Sequence, residues 1–222
     1  MRFNKQKINQ MKKTIFMIVI ATLIGSTINA QDSGTDTRDA LHFGLKMGAN
    51  YSNVYDTKGE EFKADPKFGF VAGVFVSIPI GTILGVQPEI LFSQKGFKAT
   101  GVILGNNYEF TRTTSYIDIP LLIAIKPTPM ITLLAGPQYS YLIKRNDKFT
   151  SGTTTIIQEQ EFENDNIRKN LFCFIGGLDL NLDPMVIGAR VGWDITQNNG
   201  DGSSVTPQYK NVWYQATIGF RF

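Results

Sequence analysis

The chain has 222 residues, 42% hydrophobic and 12% aromatic against 18% charged, which excludes a disordered or collagen-like polymer and leaves room for one domain or two small ones. Its formal charge of +3 is no evidence for a nucleic-acid partner: Arg2, Lys5, Lys7, Lys12 and Lys13 crowd the start, and beyond residue 30 there are 17 Lys and Arg against 19 Asp and Glu. No nucleic acid is expected as a partner. The single cysteine, Cys173, cannot form an intramolecular disulfide.

Residues 1–30 read as a cleaved secretory signal peptide, with a basic start, an apolar core over 14–28 and a cleavage site between Ala30 and Gln31; Met11 is the better start. The core is shorter than the ~20 residues of a membrane-crossing helix. Residues 31–41 are expected to form a short periplasmic segment, and 42–222 the folded domain. After residue 30 the longest chargeless apolar runs are about seven residues, so a membrane-embedded protein would have to cross as strands.

Strand period then repeats to the end. Phe43, Leu45, Met47, Ala49 and Tyr51 share one face of the first segment; Phe68, Phe70, Ala72, Val74, Val76 and Ile78 share one in the second. Leu84, Val86, Ile90 and Phe92 alternate with Gln87, Glu89, Ser93 and Lys95. Ile117, Ile119, Leu121, Ile123 and Ile125 alternate with Tyr116, Asp118 and Lys126. Leu133, Ala135, Tyr139, Tyr141 and Ile143 oppose Thr132, Gln138, Ser140 and Lys144. Phe172, Phe174, Leu178 and Leu180 oppose Cys173, Gly177, Asp179 and Asn181. Ile187, Ala189, Val191, Trp193 and Ile195 oppose Gly188, Arg190, Gly192, Asp194 and Thr196. Val212, Tyr214, Ala216, Ile218, Phe220 and Phe222 oppose Trp213, Gln215, Thr217 and Arg221.

These eight segments are joined by tight turns at Pro79-Ile80-Gly81, Pro127-Thr128-Pro129 and Leu182-Asp183-Pro184, and by long polar links near 52–66, 98–112, 145–168 and 197–210. Short turns alternating with long loops around an even number of antiparallel strands describe an all-β, up-and-down transmembrane barrel with periplasmic turns and extracellular loops. The apolar faces are bulky and the opposing faces rich in Gly, Ser, Thr and Asn, which suits lipid outside and a filled interior. Aromatics near segment ends, such as Phe43, Tyr51, Phe68, Phe92, Tyr141 and Trp193, fit interfacial girdles. The competing fold is a secreted lipocalin-like barrel, which would need far more Lys and Glu along its strands. Pro88, Pro120 and Pro137 fall inside strands, where each removes a ladder donor, so bulges are expected beside them. Leu91, Leu122 and Leu134, nominally interior, would mark the resulting reversals.

On LGVQPEILFSQKGFK, SYIDIPLLIAIKP and LLAGPQYSYLI, with the opening FGLKMGANYS, the chain resembles the small outer-membrane β-barrel domains of the PorT type over residues 41–222. The resemblance implies a bacterial outer-membrane location in a Gram-negative envelope and a link to secretion or envelope assembly, and assigns no catalytic residue. The terminal Phe222 resembles the signal read by the barrel-insertion machinery, which would make that machinery a partner alongside outer-membrane lipid and an extracellular or periplasmic protein.

Candidate chemistry is sparse. His42 is the sole histidine, which removes multi-histidine metal sites and nearly all His-based triads. No metal, cofactor or catalytic residue is expected. Lys46, Glu89, Asp118, Asp179, Arg190, Asp194 and Arg221 project to the interior side and are expected to form a charge-paired plug, since buried charges must be paired. The acidic stretch 158–166 reads as a solvated loop. The expected role is non-enzymatic binding, adhesion or envelope assembly through the loops; the alternatives are an enzyme with a site at the barrel mouth, a narrow pore, or a secreted small-ligand binder.

Overall fold

The computed structural model describes residues 37–56, 64–103, 106–151, 154–160, 168–198 and 209–222; the expected signal peptide lies outside them. After a 3₁₀ turn at Thr37–Asp39 the strands run β1 His42–Asp56, β2 Asp65–Pro79, β3 Leu84–Ile103, β4 Asn106–Thr128, β5 Ile131–Ser151, β6 Thr154–Gln160, β7 Asn170–Leu182, β8 Met185–Asp194 and β9 Tyr209–Arg221. Every pairing is antiparallel. β9 pairs with β1 and β4 with β5, so β1, β2, β3, β4, β5, β7, β8 and β9 close a ring, while β6 lies outside it on the upper flank of β5. Closure leaves the ring strands without edges at membrane level, as a lipid environment demands of any sheet.

The alternation of side chains gives the wall its two faces. Phe70, Ile90, Ile123 and Ile218 are exposed on the outside, whereas Lys46, Asn50, Glu89, Gln138 and Arg190 are buried inside. Outer aromatic pairs gather at the extracellular rim: Tyr51 with Phe68 at 4.8 Å, Tyr139 with Phe172 at 5.7 Å and Phe174 with Trp193 at 5.3 Å between ring centroids. Such a band is what amphipathic rings form where hydrocarbon meets headgroups.

Two of the four links expected to be long loops are strand. β3 continues to Ile103 and β4 begins at Asn106, and β5 continues to Ser151 with β6 from Thr154, so residues 98–103 paired with 106–111, and 145–151 paired with 154–160, carry the sheet past the membrane belt. Their polarity suggested loops, but Thr, Tyr, Phe, Val and Ile are strand formers regardless of polarity. Of the acidic stretch, Gln158 to Gln160 are in β6 and 161–166 lie outside the described residues.

The prolines behave differently from the expectation. At Pro88, Pro120 and Pro137 the register is unbroken: each pairs on one side, with Leu121, Gln138 and Phe174 respectively, and on its other side the ladder skips two pairs and resumes in phase. A missing N–H costs one bond toward one neighbour, so a gap suffices and no extra residue is needed. Leu91, Leu122 and Leu134 are accordingly true interior residues, buried with no reversal.

Irregularities occur elsewhere, between Pro66 and Val71 and between Ser115 and Tyr116, with a third at the Thr128 turn. At the second, Ile143 and Lys144 together oppose Ser115, because Ser115 pairs with Lys144 and Tyr116 with Leu142. This bulge swings Lys144 to the exposed side and turns Arg145 inward, correcting the interior placement read from simple alternation. Near the first, Gly96 has φ +151, and a side chain there would collide with the Arg112 carbonyl.

Candidate functional site: a packed lumen and an extracellular extension

The interior is filled from the periplasmic end upward. Beneath it, Lys126 Nζ donates to the Arg38 carbonyl at 2.7 Å, and Arg38 Nη1 donates to the Lys126 and Pro127 carbonyls at 3.3 and 3.4 Å. The segment just before β1 is thereby tied to the β4–β5 turn. A cavity of about 20 Å³ remains there, lined by Arg38, Gln87, Lys126 and Asp179 among others, enough for a water molecule.

Next comes a charged cluster. Arg190 Nη1 donates to both Glu89 oxygens at 2.8 and 2.9 Å, and its Nη2 to both Asp179 oxygens at 3.1 and 2.9 Å. Lys46 Nζ lies 2.5 Å from Glu89 Oε2, and Gln87 Nε2 donates to Glu89 Oε1 at 2.9 Å. Two cations meet two anions, so the cluster is neutral. Its side chains are at most 6% exposed. In such surroundings an unpaired charge costs several kcal/mol, and mutual pairing is the ordinary remedy.

Above it the lumen is partly apolar, with Leu122, Leu134, Ile175, Leu142, Leu171 and Trp213 in one buried cluster. Lys95 pairs with Asp118 at 3.0 Å and places its ammonium 3.7 Å over Trp213 and 4.9 Å over Tyr116. A buried cation over an indole face is worth roughly 2 kcal/mol. Trp213 fits because Gly192 faces it: a Cβ there would strike the indole ring. Asp194 accepts from Cys173 Sγ at 3.1 Å, from the Asn211 backbone N–H at 2.9 Å, and from Asn211 Nδ2.

The mouth is closed from opposite walls. Arg112 on β4 donates to Asp147 through Nε at 2.9 Å and Nη2 at 2.8 Å, and to Tyr209 Oη on β9 at 3.2 Å. Arg145 approaches the same carboxylate at 3.2 Å. Phe97, Tyr209 and Val54 pack beneath, with Phe110 and Ala64 alongside. Burial disfavours charge on Arg112, but Tyr209 and Asp147 more than offset this and hold its guanidinium above the ordinary arginine range.

The structure thus brings Lys46, Glu89, Asp179 and Arg190 into one network, pairs Asp118 with Lys95, and holds Asp194 separately on Asn211 and Cys173. Arg221 belongs to none of these. It pairs with Asp183 at 3.1 Å beside the β7–β8 turn, because the last residue of β9 has already reached the periplasmic rim. Sequence reasoning missed Lys95 and Trp213 as partners and the whole Arg112–Asp147–Arg145 group. Alternation does mark Lys95 as interior; the second group lies in polar segments that carry no apolar face to mark them as strand. Among the described residues no cluster of three or more His, Cys, Asp or Glu could hold a metal ion.

A family model described as outer membrane protein beta-barrel domain matches residues 29–207, most of the chain. The chain belongs to that family. It is a protein of the bacterial outer membrane. Among solved structures this outer-membrane barrel is similar to Neisserial surface protein A (NspA), at 10% identity over 81% of this chain and 97% of that one, TM-score 0.47. It is similar to Ail, the attachment invasion locus protein of Yersinia pestis, at 14% identity over 82% and 98%, TM-score 0.42. It is also similar to OprG from Pseudomonas aeruginosa, at 13% identity over 85% and 99%, TM-score 0.37. These likenesses concern the fold. No curated protein matches the barrel at a significant level.

Proposed function

We propose that this outer-membrane barrel is non-enzymatic and works by binding, through its extracellular extension, in adhesion or in envelope assembly. The observation that carries the reading is the division of labour between the two halves. Inside the membrane belt Glu89, Asp118 and Asp179 are engaged by Lys46, Lys95 and Arg190, which leaves those carboxylates in structural service. Beyond the belt, β3 to β6 build a four-stranded sheet that buries Phe97, Ala99 and Arg145 on one side and exposes Val102 and Ile156. Stable, strand-built surface held clear of the bilayer is suited to contact with macromolecules.

The three sequence blocks that resemble the PorT type favour envelope assembly over adhesion as the narrower role. We further assign outer-membrane lipid to the apolar belt as its solvent, the barrel-insertion machinery to the terminal Phe222, and a protein partner to the extension. The test is photo-crosslinking from Thr100 and Thr155 in intact envelopes, comparing the full chain with one in which residues 98–111 and 146–160 are cut to short turns. A partner captured by the full chain and lost on trimming is expected. Equal capture by both would sink the reading. The enzymatic alternative is tested by Glu89→Gln and Asp118→Asn: turnover lost from a barrel that still folds would establish it.

A further inference from the structure

The extracellular wall of the barrel is uneven. β3, β4 and β5 run for 20, 23 and 21 residues, whereas β7 and β8 run for 13 and 10. β7 leaves β5 at the pair Tyr141 and Asn170, and from Arg145 to Ser151 the flank of β5 is taken by β6. The sheet therefore stands tall on one side and ends in a step on the other. β6 forms the riser of that step.

Among the described residues β6 pairs only with β5 and is the terminal strand of the nine. Successive residues of a strand direct their backbone N–H and C=O groups to alternate sides, so about half of those in β6 face away from β5. Natural sheets guard such edges with lysine, proline or a bulge. β6 reads TTIIQEQ, without lysine or proline, and its seven residues pair with β5 in unbroken register. Thr155 and Ile156 are exposed, Ile156 by 53%. An unbulged edge that is β-branched from Thr154 to Ile157, with Glu159 as its one charge and neither lysine nor proline, is an arrangement that invites strand addition.

From this we infer that β6 receives an extended segment of another polypeptide as an added strand. The inference rests on the reading of the extension as a binding surface and names the class of its partner. A row of backbone donors and acceptors at about 3.3 Å per residue is matched by a second extended backbone, and by neither a glycan nor a lipid headgroup. Sequence preference would come from every second side chain of the incoming strand, the apolar ones meeting Ile156.

The probe is the peptide RNDKFTS, residues 145–151, because this sequence already pairs with β6 in the fold. Its binding to the full chain in detergent micelles is read by fluorescence anisotropy, beside two versions N-methylated at alternate residues, one at Asn146, Lys148 and Thr150 and the other at Asp147, Phe149 and Ser151. An added strand uses the N–H groups of one set alone, so one methylated peptide is expected to lose affinity at least tenfold while the other keeps it. Equal binding of all three would show side-chain adhesion and overturn the inference, as would no binding at millimolar peptide. Self-association that saturates the edge, seen as disulfide-linked dimers of an Ile156→Cys chain at all concentrations, would overturn it in favour of a second copy. If crosslinking captures a partner through the extension while every peptide fails, the edge assignment falls and the binding reading stands.

Discussion

Arg190 reaches across the full width of the barrel to hold Glu89 by two hydrogen bonds of 2.8 and 2.9 Å. β8 and β3 are four strands apart in either direction round the ring, so this contact spans the lumen. Lys46 shares the same carboxylate. Removal of Glu89 alone leaves two buried cations, Lys46 and Arg190, with Asp179 as the one carboxylate of the group, and Glu89→Ala is expected to cost about 3–5 kcal/mol. Replacing the whole group, as Lys46→Met, Glu89→Leu, Asp179→Leu and Arg190→Leu, removes every charge together and should be neutral or stabilising by about 1–4 kcal/mol. Urea unfolding in lipid vesicles, followed by heat-modifiable mobility on gels, measures both. A single variant costing under about 1 kcal/mol would show the network to be wet, not buried.

The two tryptophans give an optical check on inside and outside. Trp213 is fully buried in the lumen beneath Lys95, whereas Trp193 is 39% exposed on the outer rim against Phe174. Brominated lipids should quench the emission of a Trp213→Phe chain, which retains Trp193, and leave a Trp193→Phe chain almost untouched. The opposite pattern would invert the wall. Lys95→Met, which takes the charge from the indole face, should shift Trp213 emission without restoring quenching.

The residues that made the fold legible are those with a strict two-residue period and a strong size contrast, such as Phe43 to Tyr51 and Val212 to Phe220. Lipid on one side and packed side chains on the other sort them by bulk at every step. Lys144 escaped because a bulge inserts one residue and inverts the phase beyond it, and nothing in KRND marks that insertion. The strand pairs 98–103 with 106–111 and 145–151 with 154–160 escaped because the water around an extracellular sheet removes the apolar face that marks a strand in the membrane. Arg190 and Glu89 were both placed inside by alternation alone, yet their pairing depends on which strands stand opposite, which only ring closure fixes. The mouth cluster of Arg112, Asp147 and Tyr209 unites β4, β5 and β9 and carries no local signature at all.

Conduction should be close to nil. Eight strands leave an interior that side chains fill, and here the Arg190 network, the Trp213 cluster and the Arg112–Tyr209 closure occupy it in succession. Planar-bilayer recordings of the full chain are expected to show no discrete steps. The variant Phe97→Ala with Arg112→Ala opens the mouth while leaving the two lower groups, so it too should stay silent. Steps in the unmodified chain would mean that the lumen is not packed as described.

Met47 tests the lipid-facing side at its deepest point. It is the middle one of the outward residues from Phe43 to Tyr51 on β1, between Leu45 and Ala49, and is 59% exposed, with Ala72 and Ile218 as its cross-strand partners. An arginine there meets hydrocarbon near the bilayer midplane, where the cost is about 2–4 kcal/mol, falling to about 0–1 near the interfaces. Met47→Arg is therefore expected to destabilise by that larger amount in vesicles, and Tyr51→Arg, at the rim of the same face, by less than about 1 kcal/mol beyond its lost ring contact with Phe68. Equal penalties at the two positions would place β1 at the wrong depth. A negligible penalty at Met47 would mean that this face meets water, and the apolar belt would have to be assigned anew.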